Sequence, residues 1–202
     1  MIVAEFVSHA TGTLCNADPG VVPLGAAIRP LIPGRRIAGR ARTARIVPGQ
    51  NAAVHRAVRD AGPGEILVVD GGASDRYGPF GDLLAESCLQ RGLAGGVFDC
   101  TIRDSADIAA LGFQVFARGF HPEPTAKTDP GTTDIPVTVG GALVNPGDVV
   151  VGDDDGVVIV PYDIAAHVLE AATRFADREQ LIRRRIRGGE TTFDIFDIGA
   201  SP

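Results

Sequence analysis

An aspartate followed, after twenty residues, by an arginine–aspartate pair is the spacing in this chain most able to do chemistry: Asp82, then Arg103 and Asp104. The stretch 83–102 is long enough for one helix, one turn and one strand, the connection that joins neighbouring parallel strands, so its two ends are expected to meet. A guanidinium can grip a carboxylate through two parallel N–H donors, and an aspartate can offer a hard oxygen to Mg²⁺ or Mn²⁺, directly or through water. Asp82 falls at or near a helix start. There the amides of Leu83 and Leu84 lack intrahelical acceptors and, with the helix dipole, suit a carboxylate or a phosphate. Arg103-Asp104 taken alone reads first as a surface ion pair with a helix cap. The whole spacing argues for one shared crevice.

The elements that must position these residues follow from periodicity. Residues 1–20 read as a short helix and a polar turn, and 27–30 and 36–47 as strands, the second with Arg outward and small or apolar residues inward. Asn51 is placed to cap a helix through Arg59, after which Gly62-Pro63-Gly64 breaks the chain. Glu65–Asp70 is a near-continuous apolar run, expected of a strand covered on both faces and ended by Gly71-Gly72. A helix from about Gly81 to Gln90 should bury Leu83, Leu84, Cys88 and Leu89. Strand 94–99, helix 105–111 and strand 113–118 complete a β-α-β-α-β series with right-handed crossovers and parallel pairing. The stretch 119–133 reads as an ordered loop, and 135–139, 142–144, 149–151 and 156–160 as short strands forming an all-β half. Asp163 is placed to cap a long helix to about Arg187, followed by a tail, 188–202. The expectation is one α/β domain over 1–202 with a mixed sheet and a long C-terminal helix.

Bulk properties narrow the partners. A net charge of −6 argues against a general nucleic-acid or anionic-membrane binder, and Arg183-Arg184-Arg185, set among acidic residues, reads as a solvated or intersubunit helix face. With no Trp and 5% aromatics the core must be aliphatic. Cys15, Cys88 and Cys100 lack metal or disulfide spacing. No segment has membrane-spanning length and the start lacks a signal pattern, so a cytoplasmic protein is expected. Asp153-Asp154-Asp155-Gly156 lacks the distal Glu of an EF-hand and reads as a turn. His121, a lone histidine after a strand, reads as structural or exposed.

Ile28-Arg29-Pro30, Ile37-Ala38-Gly39-Arg40-Ala41, Val68-Val69-Asp70-Gly71-Gly72, Gly81-Asp82-Leu83-Leu84-Ala85, Ile102-Arg103-Asp104 and Gly152-Asp153-Asp154-Asp155-Gly156-Val157-Val158 resemble the RraA-like proteins. That family includes the class II 4-hydroxy-4-methyl-2-oxoglutarate aldolases. The resemblance implies a swivelling, phosphohistidine-domain-like fold in trimers or hexamers with sites at subunit interfaces. It also implies that Asp104 anchors a divalent metal mainly through water, that Arg103 binds a 2-oxo acid, and that the Gly81-Asp82-Leu83-Leu84 turn holds its carboxylate. Asp82 would position metal-bound water, and an acid from a neighbour's C-terminal helix would complete the site, with Glu179 the first candidate and Glu170 or Asp177 the alternatives. Asp99-Cys100 departs from the family's Asp-Gly, so Cys100 is either a small core filler or a change in specificity.

The expected activity is a metal-dependent lyase that cleaves 4-hydroxy-2-oxo dicarboxylates to pyruvate by retro-aldol reaction, with Mg²⁺ or Mn²⁺ as cofactor, and that also decarboxylates oxaloacetate. No Schiff-base lysine is called for, and the sole lysine, Lys127, falls in a loop. The rival reading is a non-catalytic regulator that binds ribonuclease E or another protein. A phosphocarrier-like domain would need an exposed histidine, for which only His121 is placed.

Overall fold

The crossovers expected around the Asp82 and Arg103 junctions form, and they begin one unit earlier than periodicity alone indicates. The structure is a computed structural model that describes residues 2–199. Its elements are α1 (Ile2–Glu5), a 3₁₀ turn (Phe6–Ser8), α2 (Thr11–Ala17), β1 (Val22–Pro23), β2 (Arg29–Pro30), β3 (Ile37–Arg45) and α3 (Ala52–Asp60). They continue with β4 (Glu65–Ser74), α4 (Asp82–Gln90), β5 (Gly95–Ile102), α5 (Ser105–Leu111), β6 (Val115–Phe120) and β7 (Thr132–Thr133). The chain then forms β8 (Val137–Val139), β9 (Ala142–Val144), β10 (Val149–Asp153), β11 (Gly156–Val160), α6 (Ala165–Arg187) and α7 (Thr192–Ile195).

A nine-stranded mixed sheet runs β1-β11-β10-β3-β4-β5-β6-β2, with β7 paired to β3. The neighbours β3/β4, β4/β5 and β5/β6 are parallel, each joined through one of α3, α4 and α5. β10 and β11 do not make a separate all-β half: β10 pairs antiparallel with β3 and extends the same sheet. Only β8 and β9 stand apart, as a two-stranded hairpin.

Alternation along the central strands divides the core. Leu67 and Val69 of β4 pack with Val54 and Val58 of α3 and with Leu84 and Cys88 of α4. Ile66 and Val68 point the other way, toward Val137, Val139 and Val144 of the hairpin. This two-sided cover explains the unbroken apolar run in the sequence. A third cluster joins Val149, Val151 and Val158 to Phe6, Leu14, Val168 and Leu169, seating α2 and the first turns of α6 against β10 and β11.

Several local expectations are corrected. Thr11–Ala17, read as a polar turn, is helical because Asp153, 142 residues away, accepts from Thr11 N at 2.8 Å and Thr11 Oγ1 at 2.7 Å. Asp153 also accepts from Asp155 N at 3.0 Å, so the aspartate run is a turn, as expected. β4 continues through Gly71 and Gly72 to Ser74, with a register shift that bends it near the cleft described below. Asp163 caps nothing: it lies in a 3₁₀ turn, and α6 begins after it at Ala165 without a side-chain cap. On α4 the buried face is Leu84, Ala85 and Cys88, whereas Leu83 is 75% exposed, because the helix enters with Leu83 directed away from the sheet. Leu89 is likewise exposed. Among the described residues no helix is long and apolar enough to cross a membrane.

Phe80, fully buried, ends the β4–α4 loop with its ring 4.6 Å from Phe98 of β5 and 6.0 Å from Phe113. It fixes where α4 starts. Phe80→Ala is expected to cost about 3–5 kcal/mol, the range for losing a buried aromatic, measured as a lower midpoint in urea unfolding.

Candidate functional site

The two junctions singled out by spacing meet. Arg103 N donates to Phe80 O at 2.9 Å, tying the end of β5 to the residue before α4. Gly81 is the N-cap of α4 and supplies no side chain, and the first intrahelical bond is Ala85 N to Gly81 O at 3.0 Å. The amides of Asp82, Leu83 and Leu84 therefore have no acceptor inside the helix. Gly78 and Gly81 let the Arg103 side chain lie this close: a Cβ on Gly78 would sit 2.6 Å from Arg103 Cβ, and one on Gly81 would strike Asp104 Oδ2.

Arg103 Nε donates to Asp104 Oδ2 at 3.2 Å, with both side chains about a third exposed. The two Nη groups of Arg103 and Oδ1 of Asp104 make no hydrogen bond among the described residues. The guanidinium thus retains a free fork for a carboxylate. Asp104 has φ 55° and ψ 37°, a left-handed conformation that Asp tolerates better than most residues, and its side chain does not cap α5. The expected cap is absent, and the expected ion pair is present. Tyr77, on the same loop, holds φ 93° and is pinned by its N–H to His121 Nδ1 at 3.3 Å and by its carbonyl accepting from Thr101 Oγ1 at 2.7 Å. His121 Nδ1 also accepts from Glu123 N at 3.2 Å, a structural role.

These groups border a cleft of about 130 Å³ lined by Gly81, Asp82, Leu83, Leu84 and Arg103, room for a small acid rather than a nucleotide. Asp104 adjoins the lining through its contacts with Arg103 and Gly81. Four further polar residues line it that sequence reasoning did not assign: Asn51, His55, Thr125 and Lys127. Asn51 stands at the N-cap of α3 as expected, but its side chain makes no capping hydrogen bond. Its Nδ2 donates to Pro79 O at 3.0 Å, and its buried Oδ1 has no partner. Partial desolvation at the cleft wall and the Lys127 ammonium lower the basicity of the His55 imidazole. Lys127 was the one legible signal, as the sole lysine of the chain.

No cluster of three His, Cys, Asp or Glu side chains able to hold a metal exists among the described residues. A divalent ion here would rest on Asp104, with water filling most of its sphere, and an oxygen-only donor on an open rim fits a hard, hydrated ion such as Mg²⁺. Glu179 lies elsewhere, in a groove of about 380 Å³ between α6 and α7, 3.9 Å from Arg183. Within one protomer the structure does not bring it to the cleft. Glu170 pairs with Arg174 at 3.8 Å on the same helix, and Asp177 is also on α6. Cys100 fills the space against Gly71, where an added Cβ would lie 2.6 Å from its own. Its φ is not positive, so the departure from glycine is a core substitution.

A mixed sheet with helices feeding a small polar cleft at the carboxyl ends of its parallel strands defines an α/β protein with a candidate site at its crossovers. The chain belongs to the Aldolase/RraA family, whose pattern matches residues 13–159. It is 33% identical over 172 residues, 85% of this chain and 82% of the relative, to a Halalkalibacterium halodurans protein named "Putative 4-hydroxy-4-methyl-2-oxoglutarate aldolase". The solved RNA-processing inhibitor RraA from Thermus thermophilis superposes with a TM-score of 0.70 at 33% identity, covering 75% of this chain and 92% of that one. Streptomyces coelicolor RraAS2, described as an unusual member of the RNase ES inhibitor RraA family, gives 0.77 at 28% identity, covering 90% and 95%.

Burial pushes the Cys88 and Cys100 thiols up to about 12 and raises Cys15 as well. At pH 8 the first two are thiolate at only about one part in ten thousand. A thiol-titrating reagent is expected to modify no more than one cysteine in the native protein, Cys15, and three after denaturation.

Proposed function

We infer that the protein is a divalent-metal-dependent lyase that cleaves 4-hydroxy-4-methyl-2-oxoglutarate-type acids to pyruvate and decarboxylates oxaloacetate. The observation that carries this reading is the convergence of Asp82, the free α4 amides, Arg103 and Asp104 on one small cleft. The amides of Leu83 and Leu84 and the free fork of Arg103 receive the C1 carboxylate and the adjacent 2-oxo oxygen, a neutral acceptor that gains negative charge only as the enolate forms. Asp104 would hold the ion, largely through water. When bound, the ion supplies Lewis-acid stabilisation of the enolate that develops on the pyruvate half.

In the retro-aldol step the C3–C4 bond breaks and its electron pair passes to C3. The C4 hydroxyl becomes a carbonyl, its proton accepted by Asp82 through an intervening water. Protonation of C3 then yields pyruvate. With oxaloacetate the same bond breaks and CO₂ leaves without any hydroxyl proton to remove. Arg103 keeps its positive charge close to the charge that moves from the breaking bond toward the 2-oxo oxygen.

The neighbour's α6 is the source of the completing acid in this reading, with Glu179 first, in a trimer or hexamer. Supporting it are the exposed apolar side chains Leu181 and Ile186 on the distal half of α6. Light scattering should give a trimer or a hexamer, and Glu179→Gln should lower turnover without changing that mass.

The deciding assay is pyruvate release from both acids with Mg²⁺ or Mn²⁺ and after chelation. Metal-dependent release is expected, and Asp104→Asn, which keeps the left-handed backbone accessible, should lose at least about a hundredfold in kcat/KM, about 2.7 kcal/mol of transition-state stabilisation. Full activity in that variant, or no turnover of either acid, would sink the reading. The names of the two solved relatives favour a second reading, a ribonuclease-binding regulator. Salt-sensitive binding to a ribonuclease without turnover would select it.

A further inference from the structure

The proposed chemistry uses the Arg103 end of the cleft and leaves Lys127 unexplained. Lys127 is the sole lysine in a chain of net charge −6, and it makes no ion pair among the described residues. Its backbone is held firmly although its side chain is exposed. Ala126 N donates to Gly49 O at 2.8 Å and Asn51 N donates to Ala126 O at 3.1 Å, a short parallel bridge. Gln50 Oε1 accepts from Thr128 N at 3.0 Å and Asp129 N at 3.1 Å, clamping the next residues. In this extended stretch Thr125 and Lys127, two apart, fall on one side and both line the cleft.

The adjoining lining contains an acceptor with no donor. Asn51 Oδ1 is buried and unpartnered, and its orientation is fixed because Nδ2 is spent on Pro79 O at 3.0 Å. A buried acceptor left unmade costs free energy that a hydroxyl-bearing ligand would recover. The cleft therefore offers two carboxylate-binding cations, Arg103 and Lys127, plus a hydrogen-bond acceptor.

We propose that Lys127 is the specificity residue for the distal carboxylate of the substrate, so that the site selects dicarboxylic over monocarboxylic 4-hydroxy-2-oxo acids. This rests on the lyase reading for the orientation of the substrate. The charge complementarity stands without it: one cation for each carboxylate, with the ammonium reaching from a clamped strand. The proximity of Lys127 also accounts for part of the depressed basicity of His55, which lines the same cleft.

The test compares 4-hydroxy-4-methyl-2-oxoglutarate with 4-hydroxy-4-methyl-2-oxopentanoate, in which a methyl group replaces the distal carboxylate, in wild-type protein, Lys127→Met and Lys127→Arg. The ratio of kcat/KM for the first acid over the second should fall roughly tenfold in Lys127→Met and be largely restored in Lys127→Arg. An unchanged ratio, or equal losses on both acids, overturns the proposal and leaves the lyase reading standing. Calorimetric binding of 2-oxoglutarate and 2-oxopentanoate in the presence of Mg²⁺ gives a readout that needs no turnover. If wild type turns over neither acid, the lyase reading fails. Loss of the preference for 2-oxoglutarate in Lys127→Met still supports the subsite, and an undiminished preference rejects it.

Discussion

The hydrogen bond from Arg103 N to Phe80 O is the constraint on which the cleft depends. It closes a loop through α4 and β5, placing a helix start and a strand end in direct contact, and it demands that Gly78 and Gly81 carry no side chain. Phe80 secures the same point from beneath by packing on Phe98 and Phe113. Free amides, a guanidinium fork and a carboxylate are thus gathered by backbone geometry. The amides are fixed by the helix start and the Arg103 side chain is already held by its bond to Asp104, which lowers the entropic cost of binding.

The parallel series was legible in the sequence because its signals are local: an apolar run for β4, helical spacing in α3, and glycines where strands and helices end. What escaped was non-local. α2 exists because a carboxylate 142 residues away satisfies Thr11, and no window of sequence contains both partners. β10 joins the main sheet through pairing with β3, a contact between segments more than a hundred residues apart. Leu83 was misplaced because the first turn of an amphipathic helix can face outward when the chain enters from the sheet edge.

The site was legible in half. Asp82, Arg103 and Asp104 share one crossover, so spacing alone brings them together. Asn51, His55 and Lys127 come from the start of α3 and a long loop, which the bridge between Gln50 and Ala126 joins to each other and the bond from Asn51 Nδ2 to Pro79 O ties to the first group. Asn51 also shows how a familiar signal misleads: it stands at the helix start, yet its amide is spent on Pro79 across the cleft.

Asp104 sits in a left-handed conformation that disfavours most side chains. Asparagine fits it about as well as aspartate, and glycine fits it better. Removing the acid by either exchange leaves the backbone unstrained or relaxed, and the acid's ion pair with Arg103 is too exposed to be a large loss. Selection for folding alone would therefore not retain this carboxylate. A single exchange at this position would remove the cleft's carboxylate while leaving a sound fold whose outer surface is unchanged.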